Sequence, residues 1–291
     1  MKSSLKSFPF LSKLNVVQEI SLCTLQEKLS SKHLVSFNTP HLLEFYALVL
    51  ITEGNYRHFL DFKTYHLKVG DLFLISPNQI HYFHDTEGFD GNIIIFSEKF
   101  LRDFFLSYNP LIRNELLYEF YVVKQISLDQ YSYNQFINLY NLILNELNRE
   151  YDVAQTIIIQ NLFSAILHNV GRKFKDDESL VKVALENTFL DFKELLVTNI
   201  SYRNNVKYYA DKLNIGIRTL QNVTKRGVNK TPKELIDDNL ILECKRQLLS
   251  SDILIQDTAF ELGFEDPSAF TKYFKKNTGL TPIEFKKNYI L

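Results

Sequence analysis

The chain is poor in the features that usually fix a protein's chemistry early. It has two cysteines in 291 residues, Cys23 and Cys244, far apart and outside any metal-ligand spacing. That excludes a disulfide framework and a zinc site, and the expectation is reduced, buried thiols in a cytoplasmic protein. Long apolar runs are missing. The run through Tyr46 to Ile51 falls far short of the roughly 20 residues that span a bilayer, so no membrane partner is expected. Lys2 and Lys6 are not followed by an apolar stretch, so no signal peptide is expected. There is no Gly-x-Ser-x-Gly, no glycine-rich phosphate loop and no Cys/His motif of useful spacing, and nucleophilic catalysis lacks a carrier. The chain also lacks overall basicity, with a formal net charge of -1.

What is present is unevenly distributed. From Asp191 onward there are 16 Lys and Arg against 13 Asp and Glu, which leaves 17 against 21 for the rest. A mildly basic rear behind an acidic front fits a nucleic-acid module carried by a separate domain. The apolar fraction of 45% supports a substantial core, and the length favours two domains over one. From about Leu42 to Phe96, short apolar runs (LLEFYALVLI, YRHFLDF, DLFLISP, GNIIIF) are separated by Gly54, Gly70, Pro77-Asn78 and the stretch Gly88 to Gly91. That spacing predicts a sandwich or small barrel. The period changes after Ser97. Ser127 is expected to cap a helix carrying Phe136, Leu139, Tyr140, Ile143, Leu144 and Leu147 on one stripe. A second helix is expected from Val153 to Val170, stopped by Gly171 and buried on more than one side. The polar stretch Arg172 to Ser179 reads as a linker, and Leu180 to Leu291 as helices throughout.

The rear region contains a repeat. Asn229-Lys-Thr-Pro-Lys-Glu-Leu235 returns as Gly279-Leu-Thr-Pro-Ile-Glu-Phe285, an offset of 50 residues. In each copy Asn229 or Gly279 ends a helix in the left-handed region. Thr231 or Thr281 then caps the next helix, Pro232 or Pro282 sits at its first position, and Glu234 or Glu284 closes a capping box. Upstream of each signal lies a helix-turn-helix pattern. In the first, Asn205 caps a helix with Val206, Ala210 and Leu213 on one face, and a turn at Asn214-Ile215-Gly216 leads to a helix from Ile217. In the second, Ile255, Ala259 and Leu262 form the packed face, Gly263 permits the turn, Phe264 plugs it, and Asp266-Pro267 opens the next helix. Leu220 and Phe270, again 50 apart, are the expected anchors of the second helices.

The stretch Leu262 to Asn288, LGFEDPSAFTKYFKKNTGLTPIEFKKN, resembles the signature of AraC/XylS-type regulators, and KTPKELIDDNLILECKRQLL resembles their linker helix. The resemblance covers about residues 180 to 291. It implies two recognition helices in successive major grooves on one face of promoter DNA, joined by the long helix. Two such helices must sit about 34 Å apart. By the same resemblance Arg218, Gln221 and Asn222 reach bases and Lys225 a phosphate. In the second helix Ser268, Ala269, Thr271 and Lys272 reach bases, with Lys275 and Lys276 near the backbone. The helix N-termini at Gly216 and Asp266 are expected to offer amides to phosphates. Gly216, Thr224, Leu254 and Thr258 depart from the family pattern.

The stretch Tyr65 to Asp85 (YHLKVGDLFLISPNQIHYFHD), with Gly91 to Phe96, resembles the cupin-like sensor domain of the same family. His81, Tyr46 and His58 are the expected contacts to a small-molecule effector. A metal-dependent cupin enzyme fused to a DNA-binding tail is an alternative, and it would need His residues converging with a carboxylate. His58, His66, His81 and His84 are available, but no His-x-His pair precedes them, and in a strand His81 and His84 face opposite sides. No metal and no cofactor are expected. A regulator whose barrel binds nothing and only dimerises is a third reading.

The resulting expectation is an α+β multidomain protein. A cupin-like β-barrel with helices fills residues 1–175 and an all-α doubled helix-turn-helix fills residues 180–291. It acts as a ligand-responsive, cytoplasmic transcription regulator, with activator and repressor both open and RNA polymerase as a further partner, and not as an enzyme. The helices between Ser127 and Val170 are the candidates for a homodimer contact, with packing against the barrel of the same chain as the alternative.

Overall fold

The computed structural model describes residues 6–8, 19–30, 39–84, 88–106, 125–172, 180–250 and 254–289. The chain divides into two compact units, Ser7–Glu178 and, for its rear part, Ser179–Leu291. The stretch read as a linker lies outside the described residues apart from Arg172.

The front unit is built on two five-stranded sheets among the described residues. Strands β1 (Lys6–Phe8), β3 (His41–Leu43), β8 (Ile80–Phe83), β5 (Asn55–Leu60) and β6 (Lys63–Lys68) form the first sheet in that spatial order. Strands β10 (Gln125–Ser127), β7 (Asp71–Ile75), β4 (Tyr46–Glu53), β9 (Asp90–Phe96) and β2 (Ile20–Thr24) form the second. No ladder between described strands closes them into a barrel; the arrangement is two sheets face to face. Leu60, Leu67 and Phe83 of the first sheet meet Val49, Ile51, Phe73, Ile93 and Ile95 of the second in one core. Alternation along each strand sends the remaining apolar residues to the other face. On β4 that set is Tyr46, Leu48 and Leu50, and it packs against helices.

Those helices are α2 (Glu98–Leu106), α3 (Gln130–Leu147) and α4 (Val153–Gly171), and the short α1 (Leu25–Ser30) precedes them. Phe136, Tyr140 and Ile143 of α3, with Ile159, Phe163, Ile166 and Val170 of α4, cover the second sheet. The start of α3 differs from expectation. Ser127 closes β10, where its hydroxyl donates to Asp71 Oδ1 at 2.5 Å, and Asp129 is the cap, accepting from the Ser132 amide at 2.8 Å. Strand pairing with Asp71 takes the serine that periodicity alone assigns to the helix. By length and composition α4 could cross a membrane, yet one side of it belongs to this core.

The rear unit is helical: α5 (Leu180–Thr198), α6 (Val206–Lys212), α7 (Ile217–Val228), α8 (Pro232–Ser250), α9 (Ile255–Glu261), α10 (Pro267–Thr278) and α11 (Pro282–Tyr289). The central α8 touches α5, α6 and α7 as well as α9, α10 and α11. That explains why Leu235, Ile236, Leu240, Cys244, Leu248 and Leu249 are buried around much of its circumference. Both capping boxes form. The Thr231 and Thr281 amides each donate to the following glutamate at 2.7 Å, and each hydroxyl accepts from the glutamate amide at 3.2 Å. The threonine hydrogen bonds hold the Glu234 and Glu284 carboxyls below their usual range. Asn229 (φ 54°) and Gly279 (φ 79°) end α7 and α10 in the left-handed region.

Candidate nucleic-acid interface and buried histidine cluster

Helix α7 is divided by exposure. Leu220, Val223 and Thr224 are buried, whereas Arg218, Gln221, Asn222 and Lys225 are exposed along the opposite face. The Thr224 hydroxyl donates to the Gln221 carbonyl at 3.2 Å, so a polar residue sits in the core without an orphaned proton. Gly216 offers no side-chain cap, which leaves the N-terminus of α7 free of a competing carboxylate.

Helix α10 has the same construction. Phe270 and Phe274 are buried, Ser268, Lys272, Lys275 and Lys276 are exposed, and Ala269 and Thr271 are half-buried beside them. Its N-terminus differs from that of α7. The Asp266 carboxylate accepts from the Ala269 amide at 2.8 Å and from the Ser268 hydroxyl, and these bonds hold its pKa below the usual carboxylate range. An ionised carboxylate at this helix start disfavours a phosphate there, whereas the start of α7 carries no such charge. Thr271 commits its hydroxyl proton to the Pro267 carbonyl at 2.8 Å, leaving its methyl group for an apolar contact.

The two turns are related by backbone hydrogen bonds. The Ile215 amide donates to the Ala210 carbonyl at 3.0 Å, and the Phe264 amide to the Ala259 carbonyl at 2.9 Å. Each hands the chain into a helix whose outward face is polar and cationic, a shape and charge that fit a major groove.

In the front unit, His58 and His81 are 1% and 2% exposed and have no hydrogen-bond partner on either ring nitrogen among the described residues. Their ring centroids are 5.4 Å apart. The strand register explains the meeting: His81 pairs with Leu60 and His58 with Phe83, so both side chains point between the sheets. His41, which sequence reasoning overlooked, joins them; it pairs with His81, with rings 4.1 Å apart. His41-Leu42-Leu43 shows no alternation in sequence, and three residues are too few to reveal a strand face without the partner strand. Phe73 and Phe83 wall the cluster. Burial pushes the His58 imidazole down to about 3, and His41 and His84 add to the effect. His81 is likewise held well below the ordinary histidine range by burial, with His41 and His58 contributing. Both rings are therefore neutral at pH 7. His66 and His84 point outward. Tyr46 is not brought to this cluster. It lies on the other face of β4, stacked on Phe96 at 5.3 Å within the sheet–helix core. Among the described residues, no group of three His, Cys, Asp or Glu is disposed to hold a metal ion.

A helical unit with two helix-turn-helix motifs behind a sheet-rich unit with buried polar groups defines a DNA-binding transcription regulator with a ligand-binding domain. The family model of the AraC-like ligand binding domain matches residues 30–166, and that of a helix-turn-helix domain matches residues 209–288. The chain belongs to the AraC family of transcription regulators. It is similar to the HTH-type transcriptional activator RhaS of Pectobacterium atrosepticum, 25% identical over 248 residues, which span 83% of this chain and 85% of that protein. It is also similar to the lactose operon transcription activator of Staphylococcus xylosus, 22% identical over 252 residues and 84% of each chain. Among solved structures, ToxT of Vibrio cholerae aligns with a TM-score of 0.44 at 14% identity, covering 93% of this chain and 98% of ToxT.

Proposed function

We propose that the protein is a ligand-responsive, sequence-specific transcription activator that docks α7 and α10 in successive major grooves on one face of promoter DNA. The carrying observation is the pair of amphipathic helices, each with a buried apolar face and an exposed face of Arg, Lys, Gln, Asn, Ser and Thr. Arg218, Gln221 and Asn222 read base edges from α7, since their donor–acceptor geometry fits guanine and adenine. From α10, Lys272 and Ser268 make polar contacts, while Ala269 and the Thr271 methyl suit a thymine methyl. Lys225, Lys275 and Lys276 meet phosphates. Helix α8, 19 residues and so about 28 Å long, spans most of the about 34 Å between adjacent turns.

The effector binds in the front unit, where His58 and His81 offer ring nitrogens without a partner among the described residues to a polar group on it. The similarity to transcription activators supports activation; RNA polymerase as the downstream partner and a cytoplasmic location belong to the same proposal. A homodimer through α3 and α4 is supported by the apolar residues these helices leave exposed, among them Leu142, Val153 and Ile157.

Fluorescence anisotropy on a DNA site selected in vitro tests the docking. Arg218→Ala and Lys272→Ala each lose about 1–3 kcal/mol of affinity with an unchanged fold. Unchanged affinity in both variants refutes it.

A further inference from the structure

The two helix-turn-helix motifs are joined covalently through α8. A non-covalent bridge joins them as well. Residues 199–204, between α5 and α6, are tied to the first motif by side chains of α6. The Asn199 carbonyl accepts from Tyr209 Oη at 3.0 Å, and Asn199 Oδ1 accepts from Tyr208 Oη at 3.3 Å. The same segment docks on the turn of the second motif. The Tyr202 amide donates to the Leu262 carbonyl at 2.8 Å, and Arg203 Nε donates to the Gly263 carbonyl at 3.1 Å. The Tyr202 ring stacks on Phe264 at 4.2 Å and meets Tyr273 of α10 edge-on at 5.3 Å. Tyr273 Oη then donates to Asp237 Oδ1 of α8 at 2.9 Å, closing the loop of contacts back to the central helix.

The two turns carry an independent mark of this bridge. Both need a left-handed residue. The first uses Asn214 at φ 54° and the second Gly263 at φ 83°. Asparagine tolerates that region, so conformation alone does not demand glycine in the second turn. A Cβ on Gly263 would meet the Ser201 hydroxyl, which would have to rotate away, so the segment lies directly against the second turn. The glycine is where the 199–204 segment seats.

We propose that residues 199–204, through Tyr202, Tyr273 and Asp237, act as a second strut that fixes the orientation of α10 relative to α7, making these side chains positioning residues that set the spacing of the two DNA boxes the protein accepts. None of the three reads a base in this scheme. The proposal rests on the two-groove docking reading above.

The test uses the full chain and the in vitro selected site, with derivatives carrying one base pair inserted or removed between the two boxes. The wild type loses binding sharply on both derivatives. Tyr202→Ala, which removes an aromatic stack, loses about two- to tenfold on the selected spacing. It loses proportionally less than wild type on the altered spacings, so its spacing penalty shrinks. Tyr202→Phe keeps the ring and behaves as wild type. Tyr273→Phe removes a single hydroxyl, shrinks the penalty in the same direction, and supplies the readout should Tyr202→Ala fail to fold. An equal loss at every spacing in both Tyr202→Ala and Tyr273→Phe overturns the strut and leaves the docking reading intact. A wild type whose footprint covers one box and ignores spacing overturns both.

Discussion

Lowering the pH should loosen the front unit while leaving the rear unit intact. His58 and His81 are buried, neutral and held far below their ordinary pKa, His58 at about 3. In the unfolded chain each titrates near about 6.5. Below that pH the unfolded chain binds protons that the folded one refuses, so stability is full above about 6.5 and falls as the pH drops toward about 3. At one unit below 6.5 each such histidine costs about 1.4 kcal/mol. The pair therefore removes about 3 kcal/mol between about pH 7.5 and about pH 5.5. Against a typical domain stability of about 5–15 kcal/mol this is a large fraction. His41, also lowered by burial although its Nδ1 lies 2.9 Å from the Thr39 carbonyl, acts in the same direction. Amide hydrogen exchange read on β5 and β8 reports the opening free energy of this unit, with α8 and α10 as an internal control. His58→Leu should remove about half of the pH-dependent loss, and His58→Leu/His81→Leu most of it. A wild type whose β5 and β8 protection is unchanged between those pH values, or a double variant with an undiminished pH response, refutes the assignment of two neutral buried histidines.

DNA affinity should fall steeply with salt. Three phosphate contacts, from Lys225, Lys275 and Lys276, give a log–log slope of about -2.7, hence about a 40-fold loss on a fourfold increase in salt. The triple Lys→Gln variant flattens that slope, and a slope equal to wild type shows that other cations hold the backbone. Phe270→Ala, emptying a fully buried site beside Phe264 and Phe274, should cost about 3–5 kcal/mol of rear-unit stability, read by urea unfolding. A loss under about 1 kcal/mol would mean that α10 is not anchored there.

Much of this protein is legible without coordinates because its signals are local. The Thr-Pro-x-Glu boxes, Asn229 and Gly279, and the split of α7 and α10 into apolar and polar faces depend on neighbours within four residues, and helical periodicity reports them directly. The front unit was legible as strands with turns. Which face of each strand meets which layer was not, because period-two alternation does not say which side is the inside. Tyr46 belongs to the helix-covered face and His41 to the histidine cluster for that reason, and Ser127 was lost from α3 to the pairing of β10 with β7. The sequence alone therefore determined the two units, the duplicated DNA-binding motif and its exposed cations. Only tertiary structure decided that three histidines from separate strands share one buried cluster. Only tertiary structure, likewise, brought Tyr202 to Phe264 and Tyr273, contacts across more than 60 positions that no short-range pattern encodes.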